Sequence, residues 1–535
     1  MYRITIFHYH LLTGGITQVI TSSVKALLQQ QPDQFEITLV CGRDSQRTNI
    51  VEKIEKALKS QGIEAKVHSQ PIPEIDYLVE QDTPPKVEDI KQKLNEYFSG
   101  SIWWVHNYHI GKNPFFTEAL LQIAREQPQQ QLILHIHDFP ESGRFSNLKA
   151  LYENLESPIY PISQNVRYVV INSRDRDILL EAGIPENQLF LLNNPIEPHS
   201  PTTVDSWQVQ QKIGNWASEQ APGWEPEGKL VLYPVRTIRR KNVLEAGLLA
   251  NLVESPTNLL VTLPGVSQQE RAYSSLVESA FQNRLITGAW GIGENLDEIG
   301  ISFEELTRSA DMIVSTAIQE GFGYLFINSV LWGAPLVARD LDILGVLKDH
   351  FLPHSSYFYG ELQVPLSTGD RAALGDTYTQ ILNSVAGLLP DDQHKRIRYE
   401  VEQLLAGEHI DYSFLSVEQQ YQVLRQAAES PEFVLELREI NAETAATMEN
   451  LLRGPQVKNH EQIIKQFGAP AHSKAIETIL ASFNKNEAQE QAEDQVESTA
   501  KENADGQRSS AAEDPIHRKV LQSFNHLQYL RPLFF

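Results

Sequence analysis

The chain has 535 residues, more than one hydrophobic core holds, so we expect at least two domains. Its formal net charge of −24, without a long Lys/Arg run, argues against binding to nucleic acid or anionic lipid. A single cysteine, Cys41, excludes an intrachain disulfide, and no apolar run approaches the roughly 18 residues of a membrane helix. The first residues lack the pattern of a secretory signal, so we expect a cytoplasmic protein.

Residues 1–195 alternate β-rich runs with helical patterns, which predicts an N-terminal Rossmann-like domain. A β-rich run at 3–8 is followed by a loop with Gly14 and Gly15, and then by a helical pattern. Paired glycines let backbone amides approach a ligand at a helix start, although they also form tight turns without one. The loop lacks the G-x-G-x-x-G spacing, which argues against an NAD or FAD enzyme.

A group of polar side chains follows two apolar runs of this domain. Its members are His106, His109, His135, His137 and Arg144. Because carboxyl ends of parallel strands share one edge of a sheet, we expect them to face a cleft. A zinc site of His135, His137 and Asp138 is the rival interpretation. Neither an H-x-x-x-H spacing nor a cysteine set accompanies these residues, so we predict no metal site.

Residues 196–228 are polar and rich in Pro, Ser and Trp, and they predict the interdomain connection. A second alternating series over 229–368 predicts a C-terminal Rossmann-like domain. After its first β-rich run comes a loop with Arg236 and Lys241, directly before a helix. Helix N-termini repel cations, so a bound diphosphate would account for these side chains. The alternative is a solvated basic loop without a ligand.

A second loop of this domain, Glu320-Gly321-Phe322-Gly323, follows the apolar run that ends at Ser315. A glutamate in this position can accept hydrogen bonds from sugar hydroxyls. Backbone amides at the start of the next helix can face a phosphate or sugar oxygen. The alternative is that Glu320 interacts with the helix dipole alone.

In combination, these two loops and the following Gly333-Ala-Pro-Leu-Val-Ala run resemble the retaining group 1 glycosyltransferases, also called glycosyltransferase family 4. The resemblance covers about residues 1 to 345. It implies an α/β architecture of the GT-B type, in which two Rossmann-like domains with parallel sheets face a cleft. It further implies transfer of a hexose from a UDP- or GDP-sugar to an acceptor, with retention of anomeric configuration. Neither a metal nor another cofactor is expected.

The resemblance also implies roles for single residues. Arg236 and Lys241 would contact the donor diphosphate, Glu320 would orient the hexose, and His137 would act near the reaction centre. The implied donor-binding set is Gly14, Gly15, Arg236, Lys241, Glu320, Gly321, Phe322, Gly323 and Asn328. The resemblance implies that the N-terminal domain, residues 1–195, binds the acceptor, with His106, His109 and Arg144 as acceptor-side candidates.

Asn328 departs from the family, which usually has a ribose-binding glutamate eight positions after the first. Asparagine can bond a hydroxyl but lacks the charge that strengthens such bonds. Two alternatives therefore stay open. One is a non-catalytic GT-B protein that binds a nucleotide or a partner, and the other is a different GT-B enzyme, such as a sugar-nucleotide epimerase.

The last third of the chain changes character twice. Residues 369–485 have amphipathic helical patterns and predict a helical extension. Residues 486–515 are dense in Glu, Gln, Asp, Ser and Ala, which predicts a disordered acidic linker. Residues 516–535 are apolar again, and we expect them to dock back onto the chain or to bind a protein partner.

Overall fold

We describe the protein from a computed structural model, which covers residues 1–42, 47–81, 83–197, 204–454, 461–493 and 514–533. The chain forms two compact units. The N-terminal unit combines Met1–Glu197 with Ile464–Asn525, and the C-terminal unit combines Pro198–Ile463 with His526–Phe535. In the part of the chain that is described, every helix is too short or too polar to cross a lipid bilayer.

A seven-stranded parallel sheet with strand order 3-2-1-4-5-6-7 forms the centre of the N-terminal unit. Its strands are β1 (Tyr2–Phe7), β2 (Phe35–Cys41), β3 (Val67–Pro71), β4 (Ile102–His106), β5 (Leu132–Ile136), β6 (Val166–Val170) and β7 (Leu189–Leu191). Neighbours β1 and β4 pair in parallel, with Ile4 opposite Ile102. Because the strand order reverses between them, they flank the switch point where α/β sheets commonly bind ligands.

The strands of this sheet are joined by helices, as the alternating pattern predicts. The helices are α1 (Gly15–Gln30), α2 (Arg47–Lys59), α3 (Val87–Phe98), α4 (Pro114–Glu126), α5 (Phe145–Asn154) and α6 (Ser173–Ala182). Strands β4, β5 and β6 are buried at every position, which agrees with a sheet that is covered on both faces.

Helices from the end of the chain complete this unit. α18 (Glu461–Phe467) is followed by α19 (Ala469–Glu493), and α20 (Pro515–Phe524) comes after residues 494–513. Apolar side chains of α19, including Ile476 and Leu480, share a buried cluster with Val24 and Leu27 of α1. The Arg167 guanidinium donates to Ser482 Oγ at 2.8 Å. The apolar face of α1 is therefore covered by sequence-distant residues.

This arrangement differs from the single helical extension expected over 369–485. Residues up to 463 belong with the C-terminal unit, whereas residues from 464 return to the N-terminal unit. Helical periodicity indicates that a helix has an apolar face, but it does not indicate which surface covers that face. α19 also continues to Glu493, eight residues into the expected linker, through a run of the good helix formers Ala, Gln and Glu. Residues 494–513 lie outside the described residues.

The C-terminal unit contains a six-stranded parallel sheet with order 10-9-8-11-12-13, beside a two-stranded antiparallel sheet of β14 and β15. The strands are β8 (Lys229–Arg236), β9 (Thr257–Leu263), β10 (Gly288–Trp290), β11 (Met312–Ser315), β12 (Leu336–Arg339), β13 (Ser356–Tyr359), β14 (Gln363–Pro365) and β15 (His409–Asp411). Neighbours β8 and β11 pair in parallel and flank the switch point of the larger sheet.

Helices surround the two sheets of this unit. They are α7 (Ser206–Gln220), α8 (Val243–Leu252), α9 (Gln268–Gln282), α10 (Leu296–Ile299), α11 (Phe303–Arg308), α12 (Tyr324–Trp332), α13 (Thr368–Val385), α14 (Asp391–Ala406), α15 (Val417–Glu429), α16 (Pro431–Ile440) and α17 (Ala442–Arg453). α7 lies within the expected connection 196–228, and it buries Val209, Ile213 and Ala217 against its own unit.

A buried ionic cluster lies at the carboxyl end of β12. Arg339 on β12 donates to Glu245 Oε1 at 2.6 Å and to both carboxylate oxygens of Asp411 at 2.8 Å. The Tyr359 hydroxyl adds a bond of 2.6 Å to Glu245. Arg339, Glu245 and Asp411 are at most 4% exposed, so each charge depends on the others for compensation.

The final described residues pack on the C-terminal unit. Leu527 and Leu530 are buried, and the amide of Leu527 donates to Glu400 Oε2 at 2.8 Å. The Arg531 guanidinium donates to Ser413 Oγ at 2.9 Å, next to the Asp411 carboxylate. Residues 534 and 535 lie outside the described residues.

Candidate functional site

The first candidate loop of the C-terminal unit is fixed by its backbone. Lys241 ends the short 3₁₀ turn Arg239–Lys241, and Asn242 follows in the left-handed conformation with φ of 50°. The main-chain carbonyl of Lys241 accepts hydrogen bonds from the Tyr233 hydroxyl at 2.8 Å and from Thr316 Oγ1 at 3.2 Å. These bonds set the point from which the Lys241 side chain extends.

Glu320 approaches this loop from the end of the neighbouring strand. Because β8 and β11 are adjacent, the loops that follow them meet at the switch point. The Lys241 ammonium donates to Glu320 Oε1, and Arg240 Nη1 lies 3.6 Å from Glu320 Oε2. The amide of Ile318 donates to the carbonyl of Arg240 at 2.9 Å, which ties the two loops together. One carboxylate and two cations therefore meet at the carboxyl edge of the sheet.

The two predicted diphosphate ligands differ in exposure. The Lys241 side chain is 15% exposed, and burial lowers the pKa of its ammonium while Glu320 opposes that change. Arg236 ends β8 with an exposed side chain, and within the described residues it forms no ion pair. A largely buried cation and an exposed cation thus stand five residues apart in the loop that follows β8.

The Glu320-Gly321-Phe322-Gly323 loop leads directly into α12. Gly323 has φ of 88°, and a Cβ there would lie 2.4 Å from the Phe326 ring, so a larger residue does not fit. The N-terminus of α12 has no side-chain cap at Gly323, and its dipole favours negative charge. Phe322 is buried and packs edge-to-face on Tyr324 at 5.1 Å. Asn328 lies half-buried, one turn further along α12.

A pocket of about 180 Å³ lies at the carboxyl edge of the sheet in the N-terminal unit. The loops after β1, β4 and β5 line it, at that unit's switch point. Gly14 and Gly15 belong to its lining together with Lys112 and Arg144. Arg144 Nη2 lies 3.1 Å from Asp138 Oδ1. The structure therefore brings the predicted glycine pair together with one of the predicted acceptor-side residues.

Three predicted histidines form a buried stack next to this pocket. His106 Nδ1 lies 2.8 Å from His137 Nε2, and the amide of His137 donates to Asn107 Oδ1 at 2.8 Å. The indole of Trp104 donates to His135 Nδ1 at 3.1 Å. Burial lowers the pKa of His137 to about 4, so its imidazole is neutral near pH 7.

Among the described residues, His106, His135 and His137 are the histidines whose ring nitrogens come within 4.8 Å of one another, as a shared metal ion would require. Asp138, which the rival zinc interpretation included, instead pairs with Arg144. Because His135 Nδ1 accepts from Trp104, the neutral ring carries its proton on Nε2, which is then a donor and not a metal ligand. The rings are neutral, but His106 Nε2 and His135 Nε2 are buried without a hydrogen-bond partner among the described residues.

His109 lies away from the pocket lining. It is fully buried among the rings of Tyr108, Phe139 and Tyr160, with centroid distances of 4.7, 5.8 and 5.5 Å. Within the described residues neither of its ring nitrogens has a hydrogen-bond partner. Burial lowers its pKa to about 4. Its surroundings are those of a core residue.

The buried histidines predict a loss of stability in mild acid. Burial lowers the pKa of His109, His137 and His472 from 6.5 to about 4. The unfolded chain therefore binds protons below about pH 6.5 that the folded chain excludes, and stability falls as pH falls. We expect each histidine to cost about 1–2 kcal/mol between pH 7 and pH 5. Urea unfolding at both pH values, followed by tryptophan fluorescence, measures the difference.

The variant His137→Asn should reduce this pH dependence, because it removes one excluded proton. His68→Asn is the matched control, since His68 is exposed on β3 of the same unit. Equal pH dependence in wild type and His137→Asn would contradict the expectation.

Two further residues of the N-terminal unit were given no role from the sequence. Lys112 follows β4 in the same loop as His109, and its position after a strand is the signal that also identified Arg236. Glu141 is fully buried and accepts a hydrogen bond from the Tyr160 hydroxyl at 2.9 Å. His517 Nδ1 lies 2.7 Å from the same carboxylate oxygen, Glu141 Oε1. His517 lies on α20, so no local pattern could connect it with Glu141.

Comparison with known proteins identifies relatives of the whole chain. No family model matches the sequence. Mannosylglucosyl-3-phosphoglycerate synthase of Petrotoga mobilis is 30% identical over 541 residues, which cover 100% of both chains. Among solved structures, HepE of Anabaena in complex with UDP-glucose has a TM-score of 0.47 and 13% identity, covering 90% of this chain and 100% of its own. Sucrose-phosphate synthase of Thermosynechococcus elongatus has a TM-score of 0.42 and 14% identity, covering 83% and 100%.

Both TM-scores are below 0.5. The relationship along the full length of the Petrotoga synthase agrees with the resemblance seen in the two loops of the C-terminal unit. That resemblance predicted two parallel sheets whose strands are joined by helices, and the structure has both sheets. The chain accordingly belongs to the GT-B glycosyltransferases, in the family of mannosylglucosyl-3-phosphoglycerate synthase.

Proposed function

We propose that this enzyme transfers a mannosyl unit from a nucleoside-diphosphate mannose to glucosyl-3-phosphoglycerate, with retention of anomeric configuration. The observation that carries the proposal is the meeting of Lys241 and Glu320 at the switch point of the C-terminal unit. The full-length relative, a mannosylglucosyl-3-phosphoglycerate synthase, supports the choice of product.

The basic loop after β8 is suited to binding the diphosphate of the donor. During transfer, the bond between the sugar's C1 and the β-phosphate oxygen breaks, and negative charge grows on that oxygen. Lys241 and the exposed Arg236 can stabilise this charge, as can the N-terminus of α12. Because Lys241 is largely buried, water screens its charge less than at an exposed position.

The sugar and the acceptor hydroxyl complete the reaction. Glu320 would accept hydrogen bonds from hexose hydroxyls and so orient the ring. The acceptor oxygen forms the new bond to C1 on the face that the diphosphate leaves, and its proton passes to the leaving phosphate oxygen. This same-face entry gives retention and needs no protein nucleophile.

His137 is suited to an acceptor-side role in this scheme. Its neutral imidazole can hydrogen-bond a hydroxyl without adding a charge, and Asn107 and His106 hold it in place. Charge on the leaving group is balanced by protein cations. We therefore propose that no metal ion or other cofactor takes part.

The test measures release of nucleoside diphosphate from UDP-, GDP- and ADP-mannose and from the corresponding glucose donors. Each reaction contains glucosyl-3-phosphoglycerate, with and without EDTA. We expect one mannose donor to react in both conditions and the product to keep the donor's anomeric configuration by NMR. Loss of turnover in EDTA would contradict metal independence. Absence of both transfer and calorimetric donor binding would overturn the proposal in favour of a non-catalytic protein.

A further inference from the structure

The pocket of the N-terminal unit concentrates positive charge in a strongly acidic chain. Lys112 follows β4 and Arg144 precedes α5, and both side chains line the pocket. Asp138 offsets Arg144 at 3.1 Å, whereas Lys112 has no ion pair among the described residues. Burial and the nearby Arg144 lower the pKa of Lys112, which is the behaviour of a cation without a compensating carboxylate. The lining therefore has one excess positive charge.

The start of α1 adds backbone donors to the same pocket. Gly14 and Gly15 line it, and α1 begins there without a side-chain cap or an acidic residue in its first turn. A Cβ at Gly15 would meet nothing within 4 Å, so this backbone faces open space. An uncapped helix of 16 residues presents amide groups and a positive dipole end to an anion.

A buried histidine supplies an independent indication of a ligand. His8 lines the pocket and is 5% exposed, and its Nδ1 has no hydrogen-bond partner among the described residues. The His8 ring also hydrogen-bonds the backbone of His106, and it lies edge-to-face against Tyr9 and His10 with centroid distances of 5.5 Å. A neutral ring that donates through one nitrogen offers a lone pair on the other, which matches a hydroxyl donor. The lining thus suits a ligand that carries both an anionic group and a hydroxyl.

We propose that this pocket binds the phosphorylated glycerate end of the acceptor, with Lys112 and Arg144 on its phosphate monoester. The inference rests on the proposed function and adds the residues that recognise the acceptor. A volume of about 180 Å³ is smaller than the roughly 300 Å³ at which pockets for whole drug-sized ligands begin. It suits one end of a glycoside, and the sugar extends beyond it.

The test compares two acceptors in Lys112→Met and Arg144→Met: glucosyl-3-phosphoglycerate and its dephosphorylated counterpart, glucosylglycerate. We expect each variant to raise KM for the phosphorylated acceptor by roughly 10- to 100-fold, with kcat and donor KM unchanged. KM for glucosylglycerate should rise much less, because this acceptor lacks the phosphate that the two cations would bind. Lys149→Met, on exposed α5 surface, is the matched control. Equal effects on both acceptors, or no effect on either, would overturn the proposal.

Direct binding separates this inference from the proposed function. Calorimetry with 3-phosphoglycerate alone, on the full chain, should show binding in wild type and Lys149→Met and at least 10-fold weaker binding in Lys112→Met. If that pattern holds while no donor reacts, the pocket stands and the proposed function fails. If mannosyl transfer occurs but Lys112→Met binds 3-phosphoglycerate as wild type does, the function stands and the pocket assignment fails.

Discussion

Replacing Lys241 with methionine is expected to lower kcat for hexosyl transfer by about 10²–10³-fold. Methionine keeps the apolar stem but removes the ammonium that would stabilise the leaving diphosphate, and it leaves Glu320 without its closest cation. The effect should be large because Lys241 is only 15% exposed, so water cannot substitute well for its charge. Initial rates of nucleoside diphosphate release, at saturating acceptor, measure it.

Lys229→Met provides the matched control for this prediction. Lys229 lies at the opposite end of β8, is 51% exposed and pairs with Asp311 at 3.2 Å. Its loss should leave turnover within about twofold of wild type, since exposed ion pairs contribute little. Arg236→Ala should also slow turnover strongly, as expected for a second diphosphate contact. Wild-type rates in Lys241→Met, with circular dichroism unchanged, would remove Lys241 from the catalytic group.

Replacing Arg339 with methionine is expected to destabilise the C-terminal unit by about 3–5 kcal/mol. The substitution removes the ion-pair partner of the buried Glu245 carboxylate and leaves Asp411 with the more distant Arg531, 3.9 Å away. Although burial opposes it, Arg339 lowers the pKa of Asp411 in the wild type. The free energy of unfolding in urea, measured at pH 7, checks the prediction.

Two further variants separate lost charge compensation from lost packing. Arg453→Met is the exposed control, because Arg453 is 66% exposed and pairs with Glu449 one turn away at 2.6 Å. It should cost less than about 1 kcal/mol. Adding Glu245→Gln and Asp411→Asn to Arg339→Met should recover part of the loss, since neutral amides cost less to bury than unpaired carboxylates. A deficit of the same size in the triple variant would point to packing and not to charge.

Arg339 also connects stability with the donor loop. Glu245 accepts from Asn242 Nδ2 at 2.5 Å, and Asn242 Oδ1 accepts from Arg239 at 2.9 Å. Asn242 follows Lys241 directly and holds the left-handed conformation that ends the turn. The buried cluster thus stabilises the backbone conformation of the turn that contains Lys241.

The donor loops could be predicted because their signals are local. Arg236, Lys241 and Glu320 each follow an apolar run, and parallel strands place such positions at one edge of a sheet. Their pairing could not be predicted from that pattern alone. Lys241 and Glu320 are 79 residues apart, and they meet because β8 and β11 are neighbours in the sheet.

Elements that depend on partners far away in the chain could not be predicted from the sequence. β3, with the sequence Val-His-Ser-Gln-Pro, has no apolar run, and it forms because its backbone pairs with β2. The bond between His517 and Glu141 joins residues 376 positions apart. In both cases the interaction that stabilises the element involves a surface that appears only after other parts of the chain have folded.

The return of α19 to α1 affects the order in which the chain can fold. The N-terminal unit is discontinuous, because its segment up to Glu197 is completed by residues from Ile464 onward. During synthesis the ribosome produces the whole intervening unit before the helices that cover α1. The growing N-terminal segment therefore keeps Val24, Leu27 and neighbouring apolar residues partly uncovered for that time. The core of the N-terminal unit is therefore complete only after residues from Ile464 onward have been synthesised.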